Sequence, residues 1–136
     1  MKIKIDENAF VPTRAHDMDA GLDLRSPIKF TIKPKSSYTV DTGVHIQLPH
    51  NTVGMVKSKS GLNVKYGLTS EGVIDEGYTG SIRVKLYNHS IKSYTVLRGD
   101  KISQLVILPI IKPILEVVDF LEDTDRGNDG FGSSGR

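Results

Sequence analysis

The chain has 136 residues, of which 38% are hydrophobic and 25% charged, the balance of one ordinary globular domain. It contains no cysteine, which excludes thiolate catalysis, disulfides and cysteine-bound metals. A net charge of +2 is too small to indicate binding to nucleic acid or to an anionic membrane. No apolar run has the length of a signal peptide or a membrane span, so we expect a cytoplasmic protein.

Apolar and polar residues alternate along much of the chain, which is the period of a β-strand. The alternation is clearest at 28–32, 44–48 and 82–86, and residues 102–111 are nearly continuously apolar, as in a strand buried on both faces. Glycine, proline, asparagine and aspartate separate these runs, and the only helix we expect is a short turn at 61–66. Many short strands at this spacing predict an all-β fold, a jelly-roll-like β-sandwich or barrel.

The last twelve residues differ in composition from the rest, so we divide the chain into a β-barrel domain at 1–124 and a flexible, glycine-rich arm at 125–136. Composition alone predicts a disordered tail. Phe131, with Arg126 and Arg136 on either side, offers another interpretation, in which a ring stacks on a base and a guanidinium pairs with phosphate.

Two stretches in the first half of the chain concentrate charged and hydroxyl groups. Residues 20–26 place Asp23 in an apolar, strand-like setting, where it serves either as a turn or capping aspartate or as a functional carboxylate. Its acidic neighbours follow no known ligand spacing, so we do not expect direct metal coordination. Residues 57–62 combine two lysines, two serines and Gly61, which suits a triphosphate or, alternatively, a solvated basic turn.

Two stretches in the second half carry candidate functional side chains. In residues 72–80, Asp75 follows an apolar pair and precedes a glycine-rich turn that contains Tyr78. A carboxylate at a strand end can act as general base on water, and a tyrosine ring can pack against a sugar; an ordinary hairpin turn is the alternative. Gln104 lies among apolar residues, where its amide needs either backbone or ligand partners.

Taken in order, these stretches resemble the five motifs of the trimeric dUTP pyrophosphatases, the dUTPases. The matching segments are AGLDLRS at 20–26, SGL at 60–62, GVIDEGYTG at 72–80, GDKISQL at 99–105 and RGNDGFGSSG at 126–135. The resemblance therefore covers nearly the whole chain, and it implies a jelly-roll-like homotrimer whose three sites are each built by all three subunits.

The resemblance also implies a reaction, the Mg²⁺-assisted hydrolysis of dUTP to dUMP and pyrophosphate. Asp75 would activate the water that attacks the α-phosphorus, and Asp23 would approach Mg²⁺ through water. The backbone of Gly72, Val73 and Ile74 would recognise the uracil edge.

The remaining substrate contacts follow from the same resemblance. Tyr78 would pack under the deoxyribose and leave no room for a 2′-hydroxyl. The other expected substrate-binding residues, which lie along the phosphates or in the arm that closes over the base, are Lys59, Ser60, Gly61, Arg83, Gln104, Arg126, Phe131 and Gly132.

Three positions depart from the usual motifs. Lys59 replaces an arginine and so lacks the planar guanidinium that can donate two parallel hydrogen bonds. Ser58 stands where proline is usual, and Asp129 replaces a glycine in the arm. We expect these changes to affect affinity more than reaction type. The alternatives to a dUTPase are a dCTP deaminase-like relative and a catalytically weak regulatory relative that binds a protein partner.

Overall fold

Ten β-strands and one short helix form the part of the chain that this computed structural model describes, residues 1–130. The strands are β1 (Lys2–Ile5), β2 (Gly21–Arg25), β3 (Phe30–Ile32), β4 (Ser37–Asp41), β5 (Val44–Gln47), β6 (Thr52–Lys57), β7 (Leu68–Ile74), β8 (Arg83–Asn88), β9 (Tyr94–Val96) and β10 (Lys101–Pro109). The helix, α1, spans Ser60–Tyr66, where the sequence predicts a short helical turn.

Six of the strands form one antiparallel sheet in the order β2-β10-β6-β7-β8-β4. Two small antiparallel pairs, β1-β5 and β3-β9, complete the fold. This arrangement of short antiparallel strands confirms the predicted all-β, jelly-roll-like class. It also brings β2, β10 and β6 side by side, although long stretches of sequence separate them.

The predicted alternation describes the core well. Of the three clearest runs, the buried members are Phe30, Ile32, Val44, Ile46, Leu48, Ile82, Val84 and Leu86. Their polar neighbours on the same strands face outward, as the two-residue period requires. Ile28 is the exception, since it lies just before β3 and is 45% exposed.

The prediction for residues 102–111 is correct only in its first half. Ile102 and Leu105 are buried, but Leu108 is 45% exposed. The cause is the end of β2: Val106 is the last residue of β10 that pairs with it, so from Ile107 onward β10 has only β6 as a neighbour. After β10, residues 110–130 include no helix or strand and are almost entirely exposed.

Gly67 directly follows α1, and its φ of 66° is the left-handed conformation that favours glycine after a helix. Across residues 1–130, no helix is long and apolar enough to cross a membrane.

Candidate active site

The turn after β7 presents the predicted catalytic carboxylate at the surface. Val73, Ile74, Asp75, Tyr78 and Arg83 together line a cavity of about 220 Å³. The backbone N–H of Tyr78 donates to the Asp75 carbonyl at 3.0 Å, which closes the turn and places both side chains beside the same cavity. The structure thus brings together five of the residues predicted from the sequence.

Gly80 lets the Tyr78 ring take its position in this turn. A Cβ at residue 80 would lie 2.5 Å from the Cζ and Oη atoms of Tyr78, closer than real contacts allow. The Tyr78 hydroxyl donates to the carbonyl of Ser81 at 3.0 Å, so the ring is held directly over Gly80. The spacing Tyr-x-Gly is visible in the sequence, but the sequence alone assigns Gly80 no role.

The same turn is joined to the N-terminal strand by His45. The two ring nitrogens of His45 lie 3.0 Å from Asp6 Oδ2 and 2.9 Å from the Thr79 carbonyl oxygen. Both partners are acceptors, which favours the doubly protonated ring, and the bonds that the ring donates to Asp6 and Thr79 raise the pKa of His45. The sequence gives no signal for this contact, because 34 residues separate His45 from Thr79.

A second group of predicted residues lies where β2, β10 and β6 run side by side. Gln104 pairs with Asp23 on one side and with Lys57 on the other. The side chain of Asp23 is 5% exposed, and its Oδ1 accepts a hydrogen bond of 2.5 Å from Lys59 Nζ. Lys101 Nζ lies 2.6 Å from Oδ2 and forms a second ion pair with the same carboxylate.

These two lysines set the charge of Asp23. Burial alone would raise the pKa of Asp23, but the contacts with Lys101 and Lys59 outweigh burial and hold the pKa below its ordinary value. One buried carboxylate is therefore paired with two lysines, which leaves a local excess of positive charge beside residues 57–62, the stretch predicted to bind phosphate. Lys101 is not among the residues that the sequence predicts for the site.

Gln104 uses its amide nitrogen within the protein, where it donates to the Ser58 carbonyl at 3.0 Å. Gly21 makes room for it, since a Cβ there would lie 3.0 Å from Gln104 Cδ and closer still to Oε1. Of the two interpretations left open by the sequence, a backbone partner is the one observed within this chain.

Ser60 and Gly61 open the first turn of α1 and are exposed. No atom lies within 4 Å of the position that a Cβ would take on Gly61, so its backbone is open to a close approach. Gly72, further along on β7, would meet only ordinary contacts with Val56 at 3.6 Å.

The described part of the arm forms a small turn. The Asp129 backbone N–H donates to the Arg126 carbonyl at 2.8 Å, and Arg126 Nε donates to the Asp129 carbonyl at 3.1 Å. Asp129 therefore contacts Arg126 through its backbone. Phe131 and Gly132, also predicted for the site, lie outside the described residues.

Comparison with known proteins decides the family. A model of the dUTPase family matches residues 7–135. The chain belongs to the dUTPase family. The deoxyuridine 5′-triphosphate nucleotidohydrolase of Gloeothece citriformis is 44% identical to it, over 97% of this chain and 93% of that protein.

Solved dUTPases share the fold closely. The dUTPase of Staphylococcus bacteriophage 80alpha with dUPNHPP is 31% identical, with a TM-score of 0.93 over 99% of this chain and 98% of that one. A mutant dUTPase from phage phi11 of S. aureus, described with a structural Mg(II) ion, is 29% identical, with a TM-score of 0.84 over 90% and 98% of the two chains.

Within one dUTPase chain, the two groups of predicted residues remain apart. Glu71 pairs with Lys57 across β6 and β7, at the level of Gln104 and Asp23. Asp75 lies four residues further along, and a strand rises about 3.3 Å per residue, so roughly 13 Å separates Asp75 from that level. Of the described residues predicted to lie along the phosphates, Arg83 alone lines the cavity beside Asp75.

A metal ion would find few protein ligands in the described part of this dUTPase. Residues 1–130 contain no cluster of three or more histidine, cysteine or acidic side chains that could hold one. Asp23 Oδ2 is buried and lies 2.6 Å from Lys101 Nζ, so a metal-bound water would have to displace that lysine to reach it. This donor set fits Mg²⁺, which usually keeps several waters and binds through one or two carboxylates together with substrate phosphates.

Proposed function

We propose that this chain hydrolyses dUTP to dUMP and pyrophosphate. The observation that carries the proposal is the turn after β7, which sets the Asp75 carboxylate and the Tyr78 ring beside one surface cavity in a chain of the dUTPase family. Relatives named deoxyuridine 5′-triphosphate nucleotidohydrolase and a phage dUTPase solved with dUPNHPP support this substrate.

Asp75 is the general base in this proposal. Its carboxylate accepts a proton from a water molecule while that water attacks the α-phosphorus, so no covalent nucleophile is required. Arg83 lines the same cavity and also pairs with Asp41, its Nε lying 3.5 Å from Asp41 Oδ2. A guanidinium in this place can pair with a phosphate oxygen beside the attacked centre.

Residues at the end of β7 and in the turn after it bind the nucleoside. Backbone groups of Gly72, Val73 and Ile74 bond the uracil edge, and the Tyr78 ring packs under the deoxyribose. The Tyr78 ring is fixed over Gly80 by its bond to Ser81, so a 2′-hydroxyl would have to displace it. This arrangement makes the proposed site selective for a deoxyribonucleotide that carries uracil.

The phosphate chain lies along the start of α1. Ser60 and the exposed backbone at Gly61 donate to phosphate oxygens, while Lys59 and Lys101 supply positive charge around Asp23. Gln104 contributes from β10 through the atoms that its bond to Ser58 leaves free. From the arm, Arg126 pairs with phosphate, and Phe131 and the backbone near Gly132 cover the base.

Mg²⁺ is the proposed cofactor. Asp23 would hold it through a water molecule, and the triphosphate oxygens would supply most of its other ligands. When bound, Mg²⁺ neutralises charge that develops on the phosphates. The structural Mg(II) ion described for the phage phi11 dUTPase supports the presence of this metal in the family.

A homotrimer with shared sites is the proposed assembly. One chain separates Asp75 from the level of Asp23 and Gln104 by roughly 13 Å, whereas the base must lie within one water of the α-phosphorus. A neighbouring copy would bring the two groups together. Residues 110–121 support this assembly, because their apolar side chains are strongly exposed in one chain, for example Ile114 at 98% and Val117 at 99%.

The boundaries proposed from the sequence, a barrel at 1–124 and a closing arm at 125–136, accommodate this assembly. The segment between β10 and Arg126 is long enough to carry the arm to a neighbouring subunit. The cytoplasmic location also stays a prediction.

A nucleotide panel tests the function. With Mg²⁺ present, pyrophosphate release is measured from dUTP, dCTP, dTTP and UTP, and ammonia release from dCTP. A site that hydrogen-bonds uracil should prefer dUTP over dCTP by roughly 10⁴-fold, since its polar groups stay unpaired with cytosine. Ammonia from dCTP would indicate the deaminase alternative, and nucleotide binding without turnover would indicate a regulatory relative.

A further inference from the structure

Glu76 directly follows the proposed base, Asp75, and its carboxylate is held by other residues of the protein. Its side chain is 20% exposed, and its Oε1 lies 2.5 Å from His50 Nδ1. Its Oε2 accepts a hydrogen bond of 3.1 Å from the backbone N–H of Asn51 and also contacts the Lys112 ammonium. The carboxylate therefore binds two segments that are distant from it in the sequence.

Those two segments are themselves connected. His50 and Asn51 form the turn between β5 and β6, where Asn51 has a φ of 56°. The backbone N–H of Ile110, just after β10, donates to the Asn51 carbonyl at 2.9 Å. Glu76, the β5–β6 turn and the beginning of the C-terminal segment consequently form one unit.

Among the described residues, the side-chain contacts between the Asp75 turn and the β5–β6 turn are those of Glu76. Gly77 follows Glu76, and no atom lies within 4 Å of the position of a Cβ at residue 77. Glycine has more backbone conformations open to it than any other residue, so it restrains the turn least. The contacts of the Glu76 side chain anchor the turn at the residue between Asp75 and this glycine.

We propose that Glu76 is a positioning residue, which holds the Asp75 turn against the β5–β6 turn and the start of the C-terminal segment. This inference rests on the proposed function, the hydrolysis of dUTP with Asp75 as the base. Glu76 also links the place where the C-terminal segment leaves the barrel to the turn that carries the base. This role is independent of contact with the nucleotide.

The negative charge of Glu76 favours its contact with the Lys112 ammonium. The Lys112 ammonium, together with the Asn51 N–H and His50, outweighs the effect of burial and lowers the pKa of Glu76 to about 2. Glu76 is therefore ionised at neutral pH, as its contacts with Lys112 and the Asn51 N–H require.

Glu76→Gln tests the proposal, because it keeps the size of the side chain and removes its charge. A displacement of about 1 Å in catalytic geometry can lower the rate about 10²-fold, so we expect kcat to fall by about 10- to 100-fold. KM should stay within about twofold, since Asp75 acts on water in the transition state. Glu7→Gln is the matched control: Glu7 is exposed and forms no side-chain hydrogen bond or salt bridge with the residues that the structure describes.

Lys112→Met gives a second variant and a double-mutant cycle. It should also lower kcat, and combining it with Glu76→Gln should lower kcat less than the two separate effects predict, since both remove the same contact. Exchange of the Asn51 amide hydrogen should be faster in both variants, whether or not nucleotide is present. Wild-type kcat and Asn51 exchange in both variants would overturn the positioning role, whereas a wild-type protein that does not hydrolyse dUTP would overturn the proposed function.

Discussion

Replacement of Lys101 by methionine tests the charge arrangement around Asp23. Asp23 is nearly fully buried, and Lys101 and Lys59 face its two oxygens. Lys101→Met keeps the length of the side chain but leaves Oδ2 without a cation. The carboxylate then bears more of the cost of burial, and the folded state is destabilised relative to the unfolded state.

The size of the effect follows from the geometry. Removing one partner of a buried ion pair costs about 3–5 kcal/mol. Lys101 is 34% exposed, and Lys59 remains on the other oxygen. We therefore expect Lys101→Met to lower the free energy of unfolding by about 1–2 kcal/mol after allowing for solvent screening.

The assay is urea unfolding at one fixed protein concentration, because assembly makes apparent stability depend on concentration. Lys29→Met is the control, since Lys29 is exposed and has no salt bridge among the described residues. Equal free energies of unfolding for wild type, Lys101→Met and Lys29→Met would refute the reasoning.

The pH dependence provides a second readout for the same variant. The pKa of Asp23 is lowered in the folded state, so its contribution to stability is present above its unfolded pKa of about 4 and is lost as the pH falls through the folded pKa. Without Lys101 the folded pKa should rise, because burial then has less opposition. The variant should lose stability at a higher pH than the wild type does.

Three further predictions concern catalysis. Asp75→Asn should lower turnover by roughly 10²–10⁴-fold while binding of a non-hydrolysable analogue persists, and near-normal turnover would show that Asp75 is not the base. Gly80→Ala should displace the Tyr78 ring, because a Cβ at residue 80 would lie 2.5 Å from it. The activity on UTP relative to dUTP should then increase, and an unchanged ratio of the two activities would show that Gly80 does not contribute to sugar specificity. A chain ending at Asp125 should fold and trimerise but lose most of its activity, as steady-state turnover and sedimentation would show, whereas full activity in a trimer would leave the arm without a catalytic role.

Local patterns in the sequence are sufficient to predict most of the fold. The alternation at 82–86 predicts β8 because the side-chain period of a strand depends only on neighbouring residues. The exposure of Leu108 is not predictable in this way, since it depends on where β2 stops beside β10. Pairing between strands that are distant in the sequence leaves no trace in a local pattern.

The same limit applies to the site. Asp75 and Tyr78 can be identified because they lie within one short motif, and the structure places both beside one cavity. The partners of Asp23 cannot be identified from the sequence. Lys101 is 78 residues away and becomes a neighbour of Asp23 only through the pairing of β2 with β10. For Gly21, only the Gln104 side chain explains why a larger residue would not fit.

Hydrolysis of dUTP in water enriched in ¹⁸O tests the central claim most directly. If water activated by Asp75 attacks the α-phosphorus, the products should be dUMP and pyrophosphate, and mass spectrometry should find the label in dUMP alone. Label in pyrophosphate would place the attack on the β-phosphorus, and release of inorganic phosphate would indicate a different cleavage. Either result would contradict the proposed arrangement of Asp75 and the phosphate-binding residues.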